Sequence, residues 1–272
     1  MTEDRHFDSG KVNSVASLCN KTILVTRPRE QAGELVREIE KRGGRPVVFP
    51  TIRILEPESW AECDGAIEKI GDYAGIVFTS VNGAGKFLDR CTQKGAGISS
   101  LQKAAMFAVG EKTRQELERR GLPVRHVPER FTARSLSEHF TTSTVKGKRF
   151  LCPRGNLGRE ELADALRDRG ALVDSVTVYI TAAAEVADAE AVAQQLANGE
   201  IDIVTFASPS AARQFAQLIP PGTLAQYRHR ARIAVIGPTT EKAVIELGFP
   251  ADIVAKESTA KGIVDAIEKF FC

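Results

Sequence analysis

The chain repeats itself, and this restricts the possible folds more than any other feature. A shift of 127 residues carries Arg27 of LVTRPREQAGELVREIEKRGG onto Arg154 of FLCPRGNLGREELADALRDRG. The same shift carries Gly43 onto Gly170, Gly110 onto Gly237, Gly121 onto Gly248, Pro123 onto Pro250 and Thr132 onto Thr259. With a one-residue slip, VFTSVNGAGKF at 77–87 matches VTFASPSAARQF at 204–215. A period this long, used twice, is a duplicated domain and not a solenoid. The length of 272 residues agrees, being enough for about two domains that each bury a core.

Each copy alternates short apolar runs with amphipathic stretches. ILV at 23–25, PVVF at 46–49, GIVF at 75–78, MFAV at 106–109 and RIAVI at 232–236 read as strands buried on both faces of a parallel sheet. Segments such as QAGELVREIEKRGG and TEKAVIELG have helical spacing and close on a glycine, the favoured residue just past a helix end. Strand and helix in alternation predict an α/β protein of two similar, flavodoxin-like, doubly wound parallel-sheet domains. Neither G-x-G-x-x-G nor a P-loop occurs, so nucleotide binding is not supported.

Two β-branched stretches, PTIRILEP at 50–57 and SVTVYITA at 175–182, stand at equivalent points of the two copies. They read as extended connectors rather than core strands, able to pair antiparallel as a two-stranded β hinge. The chain would then start one domain, build the whole second one, and return to finish the first. Two sequential domains, 21–148 and 149–272, fit the spacing as well.

Composition removes several kinds of chemistry. A net charge of +2 argues against wholesale binding to nucleic acid or to a membrane surface, and no apolar run is long enough to span a bilayer. Residues 1–20 lack the apolar core of a secretory signal and read as a flexible extension, which points to the cytoplasm. Cys19, Cys63, Cys91, Cys152 and Cys272 form no C-x-x-C pair, and none of the four histidines stands at metal-ligand spacing to another His or Cys. Neither a metal centre nor His-centred catalysis is expected.

In open α/β sheets ligands gather beyond the carboxyl ends of the strands. The residues there are polar and uncharged: Thr79, Ser80 and Asn82; Gly110 and Thr113; Ser208 and Ser210; Gly237, Thr239 and Thr240. Ser208-Pro209 and Gly237-Pro238 have the form of an N-cap followed by proline at the first helical position. Taken singly these are ordinary helix caps. Together they form a rim of hydroxyls and backbone N–H groups suited to anions. Arg27 and Arg154 follow the first strand of each copy and could hold carboxylates bidentately, or form internal salt bridges. Tyr179, one of three tyrosines, lies in the second connector, and its phenol can donate a proton while remaining neutral.

The motifs VTRP at 25–28, F-P-x-I at 49–52, VFTSVNG at 77–83, AVG at 108–110, TVYIT at 177–181, FASPSA at 206–211 and AVIGPTT at 234–240 come in an order and spacing that resemble the uroporphyrinogen-III synthase family. The resemblance covers nearly all of 21–272. It implies a HemD-like fold in which a two-stranded ladder joins the domains. That favours the crossover: 21–50 with 182–272 as one domain, 51–55 and 176–181 as hinge strands, 56–175 as the other domain. It also implies closure of linear hydroxymethylbilane to uroporphyrinogen III, with loss of water and inversion of ring D through a spiro intermediate. No cofactor or metal is needed. By motif, Tyr179 is the expected proton donor, while Thr79, Ser80, Ser208, Thr239 and Thr240, with Asn82 and Thr113, match substrate-binding positions. The expected protein is a cytoplasmic monomer with no nucleic-acid or membrane partner and, at most, transient contact with the bilane-forming enzyme. A two-lobed cytosolic binding or sensor protein for a small anionic ligand is the competing reading.

Overall fold

A computed structural model of the chain describes residues 17–129, 132–185, 188–219 and 230–271. These described residues form two compact units, one from those within 17–53 and 183–271 and one from those within 54–182. Within the described residues there are eleven strands. They are β1 (Thr22–Val25), β2 (Arg45–Val48), β3 (Ile52–Leu55), β4 (Gly75–Phe78), β5 (Ala105–Ala108), β6 (Val124–His126), β7 (Arg149–Gly155), β8 (Leu172–Ala183), β9 (Ile203–Phe206), β10 (Arg232–Val235) and β11 (Ile253–Val254).

The first unit holds a five-stranded sheet in the order β2-β1-β9-β10-β11, with every pairing parallel. The second sheet runs β3-β8-β7-β4-β5-β6. Shifting β1 by 127 residues lands on β7, and the same shift takes β2 to the start of β8, β4 to β9, β5 to β10 and β6 to β11. The two sheets therefore share one strand order, the flavodoxin-like order, with β3 added at an edge of the second.

Burial follows the strand pattern. All four residues of β1, β4 and β9 are buried, as strands covered on both faces must be. In the first unit Leu24, Val204 and Phe206 pack on one face with Phe215 and Phe249, while Ile23, Val25 and Ile203 pack on the other with Leu35, Ile39 and Val264. The second unit repeats this with Ile76 and Phe78 against Phe87, and Val77 and Phe150 against Leu136 and Leu166. Four glycines that the repeat carries in register, Gly43, Gly121, Gly170 and Gly248, adopt positive φ of 78°, 80°, 84° and 81°. Each follows a helix end, where the left-handed turn is disfavoured for any residue with a Cβ.

Two expectations change. The stretch 175–182 is no mere connector, because β8 pairs in parallel with β7 from Leu172 to Tyr179. Val176 and Val178 are 3% and 0% exposed in the second core, since alternate β-branched side chains face inward. Second, residues 17–20 do not belong to the extension expected at 1–20. Residues 1–16 lie outside the described residues, but Leu18 is wholly buried and its amide donates to the Arg42 carbonyl at 2.9 Å.

Candidate active site

Because all strands of the first sheet and β4 to β8 of the second run parallel, their carboxyl ends lie together at one end of each sheet. In the second unit β4 ends at Phe78, and Thr79 lies exposed just beyond it. Ser80 is extended (φ −151°, ψ 152°) and caps the helix Val81–Gln93, its Oγ accepting the Gly83 N–H at 3.0 Å. Asn82 is half-buried in the first turn of that helix.

Tyr179 reaches the same place from a distant part of the chain. On β8 it stands beside Gly155, where the β7–β8 register shifts. Its ring packs against the core and its Oη lies 3.3 Å from Ser80 Oγ, close enough for a long hydrogen bond. Asn156 ties the strand down: its N–H donates to the Tyr179 carbonyl at 3.2 Å and its Oδ1 accepts the Thr181 N–H at 2.9 Å. Tyr73 is engaged elsewhere, 3% exposed and donating to Asp174 at 2.7 Å near the opposite end of β8. Tyr227 lies outside the described residues.

The first unit uses the same devices without a phenol. Ser208 is extended and caps the helix Pro209–Leu218, accepting the Ala211 N–H at 3.2 Å, with Ser210 half-buried two positions further in. Gly237 precedes the helix Pro238–Glu246, and Thr239 is exposed at its start. Buried hydroxyls brace this edge: Thr26 Oγ1 donates to the Thr205 carbonyl at 2.7 Å and Thr205 Oγ1 to the Leu24 carbonyl at 2.8 Å.

The expected arginines part company. Arg27 is half-buried beyond β1 and makes no hydrogen bond or ion pair among the described residues. Burial lowers its pKa, opposed by the Glu34 carboxylate. Arg154 is engaged internally, with Nη2 on Glu160 at 2.6 Å and Nη1 donating to the Gly158 carbonyl. Thr113 and Thr240, equivalent under the repeat, are a correction to the expected rim. They are 4% and 2% exposed, because the third residue of each helix has turned inward where its neighbours Lys112 and Thr239 have not. Cys152 is core: it is 7% exposed, and burial pushes its thiol up to about 12.

Sequence reasoning passed over Gly155 and Asn156. The available signal was a glycine closing a strand pattern, which often marks a close backbone approach. Among the described residues, no cluster of three or more His, Cys, Asp or Glu could hold a metal ion, and no helix is long and apolar enough to cross a membrane.

A family model described as HEM4, uroporphyrinogen-III synthase HemD, matches residues 33–265. The uroporphyrinogen-III synthase of Chlorobaculum parvum is 34% identical over 253 residues, which cover 91% of this chain and 100% of that one. That of Synechococcus elongatus is 31% identical, covering 93% and 96%. Among solved structures, a mutant uroporphyrinogen III synthase from Thermus thermophilus is similar with a TM-score of 0.67 at 19% identity, covering 92% of this chain and 98% of that one. At that identity the likeness concerns the fold alone.

Proposed function

Because the chain belongs to the uroporphyrinogen-III synthase family, it is a cyclising lyase of tetrapyrrole biosynthesis, and we propose that the Tyr179–Ser80 pair does its acid chemistry. The substrate is linear hydroxymethylbilane. Tyr179 Oη donates its proton to the terminal hydroxyl, the C–O bond breaks, and water leaves with the azafulvene as the remaining electrophile. The substituted carbon of ring D attacks it, giving a spiro intermediate that fragments and recloses with ring D inverted. The proton released from carbon at the last step balances the one given to the hydroxyl, so the phenol is restored.

Positioning carries much of the catalysis, because the azafulvene closes without help to the symmetric type I isomer. The substrate carboxylates need receptors that do not themselves react. In the second unit the helix N-terminus at Ser80, with the Thr79 hydroxyl and the Asn82 amide, supplies dipoles of the right sign. In the first unit, taken by itself, the helix N-termini at Ser208 and Gly237, with the hydroxyls of Ser210 and Thr239, do the same. Arg27 supplies a full charge. The observation that carries the reading is the 3.3 Å approach of Tyr179 Oη to Ser80 Oγ, a phenol held at the end of a sheet where ligands bind. The test is incubation with freshly made hydroxymethylbilane, followed by isomer analysis of the oxidised porphyrins. Type III product supports the reading. Type I alone, at the spontaneous rate, would leave the binding or sensor protein as the better account.

Arg27 gives a separate expectation. Arg27→Met keeps the stem and removes the charge, so KM should rise by about ten- to a hundredfold, the worth of one charge-assisted hydrogen bond. Arg154→Met should lower the melting temperature with little change in KM, since its guanidinium holds Glu160. Steady-state kinetics of both variants decide, and an unchanged KM for Arg27→Met rejects its role. The chain acts as a cytoplasmic monomer, in at most transient contact with the bilane-forming enzyme; a larger species in size-exclusion chromatography would argue otherwise.

A further inference from the structure

We infer that Gly155 is a positioning residue for the reaction: its missing side chain is the space in which the Tyr179 ring lies, and this holds the phenol at Ser80. The inference rests on the reading of Tyr179 given above. A methyl group on Gly155 would stand 2.4 Å from Tyr179 Cζ, 2.5 Å from Cε2 and 2.9 Å from Oη. All three distances are far inside van der Waals contact. Gly155 is not among the positive-φ glycines, so it is required for room rather than for backbone freedom.

The surrounding contacts decide which partner would yield. The backbone at 155 is pinned: Gly158 donates its N–H to the Gly155 carbonyl at 2.9 Å, and Arg154 folds over the same loop onto Glu160. Strand β8 is pinned too, by the two Asn156 hydrogen bonds that bracket residues 179–181. The outer ring atoms of the half-buried Tyr179 therefore yield more readily than either backbone, and their displacement takes Oη away from Ser80. The register shift at Arg154/Gly155 is the kind of local irregularity that re-aims a side chain. The duplication adds an independent point. The positions equivalent to Gly155 and Tyr179 in the other copy are Pro28 and Ile52, so glycine and phenol occur together in one half and are both absent from the other.

The experiment compares Gly155→Ala, Tyr179→Phe and the double variant by kcat and KM for type III formation, with the melting temperature of each. Gly155→Ala should lower kcat by about a hundredfold with KM nearly unchanged, as expected when a reacting group is misplaced by an ångström or so. In the Tyr179→Phe background the same change should cost no further kcat. Full kcat in Gly155→Ala, or an equal loss in both backgrounds, overturns the inference. A second readout does not depend on activity. With only three tyrosines, 13Cζ-tyrosine NMR of the whole protein resolves each one, and the Tyr179 signal is identified by its loss in Tyr179→Phe. Gly155→Ala should shift that signal and leave Tyr73 in place; an unmoved Tyr179 signal overturns the inference. If Tyr179→Phe alone proves fully active, the acid role fails, while this shift still reports on positioning. Should Gly155→Ala fold poorly, Gly155→Ala/Tyr179→Leu should recover the lost stability by removing the ring, and failure to recover it places the clash elsewhere and rejects the inference.

Discussion

Tyr179→Phe should turn the product mixture from type III to type I. The substitution keeps the ring that packs against the second core and removes only the hydroxyl that faces Ser80. Acid assistance to a leaving group is typically worth about 10²–10⁴-fold. The bilane loses water readily by itself, so the loss should fall toward the lower part of that range, about a hundredfold. Spontaneous closure then outruns the enzyme, and the symmetric isomer accumulates. Folding should be intact, because a 3.3 Å contact lies beyond the usual O–H···O distance and contributes little stability. Chromatography of the oxidised porphyrins, with a thermal melt of the same sample, measures both effects. Near-normal type III synthesis by Tyr179→Phe would shift the acid role to a bound water or to a carboxylate of the substrate. Thr240→Ala, at a buried position, should cost far less.

The second large effect concerns folding. We propose that the fragment 54–182 folds alone with a cooperative melt, and that the fragment 21–148 does not. The first contains β4 to β8 and both of its core layers. The second keeps β1 and β2 but loses β9, so it strands the Thr26 and Thr205 hydrogen bonds and uncovers Leu24 and Val25. It also loses β7, which lies beside β4 in the other sheet. Two half-sheets with open, apolar central strands should aggregate rather than fold. Ending the stable fragment at 175 should weaken it, since Val176 and Val178 are core residues. Circular dichroism during urea titration is the measurement. A cooperative transition for 21–148 would instead support sequential domains.

What the sequence determined by itself is everything that acts over a few residues or by direct repetition. The 127-residue period, the two buried-strand patterns, the helix-ending glycines Gly43, Gly121, Gly170 and Gly248, and the caps Ser80 and Ser208 were all legible, because a cap bonds three residues ahead and a helix period closes within four. The motif order also carried the family. Only the tertiary structure decided which of these residues meet. Tyr179 and Ser80 are 99 residues apart, and they come together because the sheet order sets β8, β7 and β4 side by side, a pairing that no local pattern encodes. The same holds for the inward turn of Thr113 and Thr240 and for Arg154, engaged by Glu160 while its repeat partner Arg27 is not. Duplicated sequence supplies equivalent backbones. Side-chain partners are set by what packs across the sheet, and there the two halves differ: Gly155 beside Tyr179 in one, Pro28 and Ile52 at the matching positions of the other.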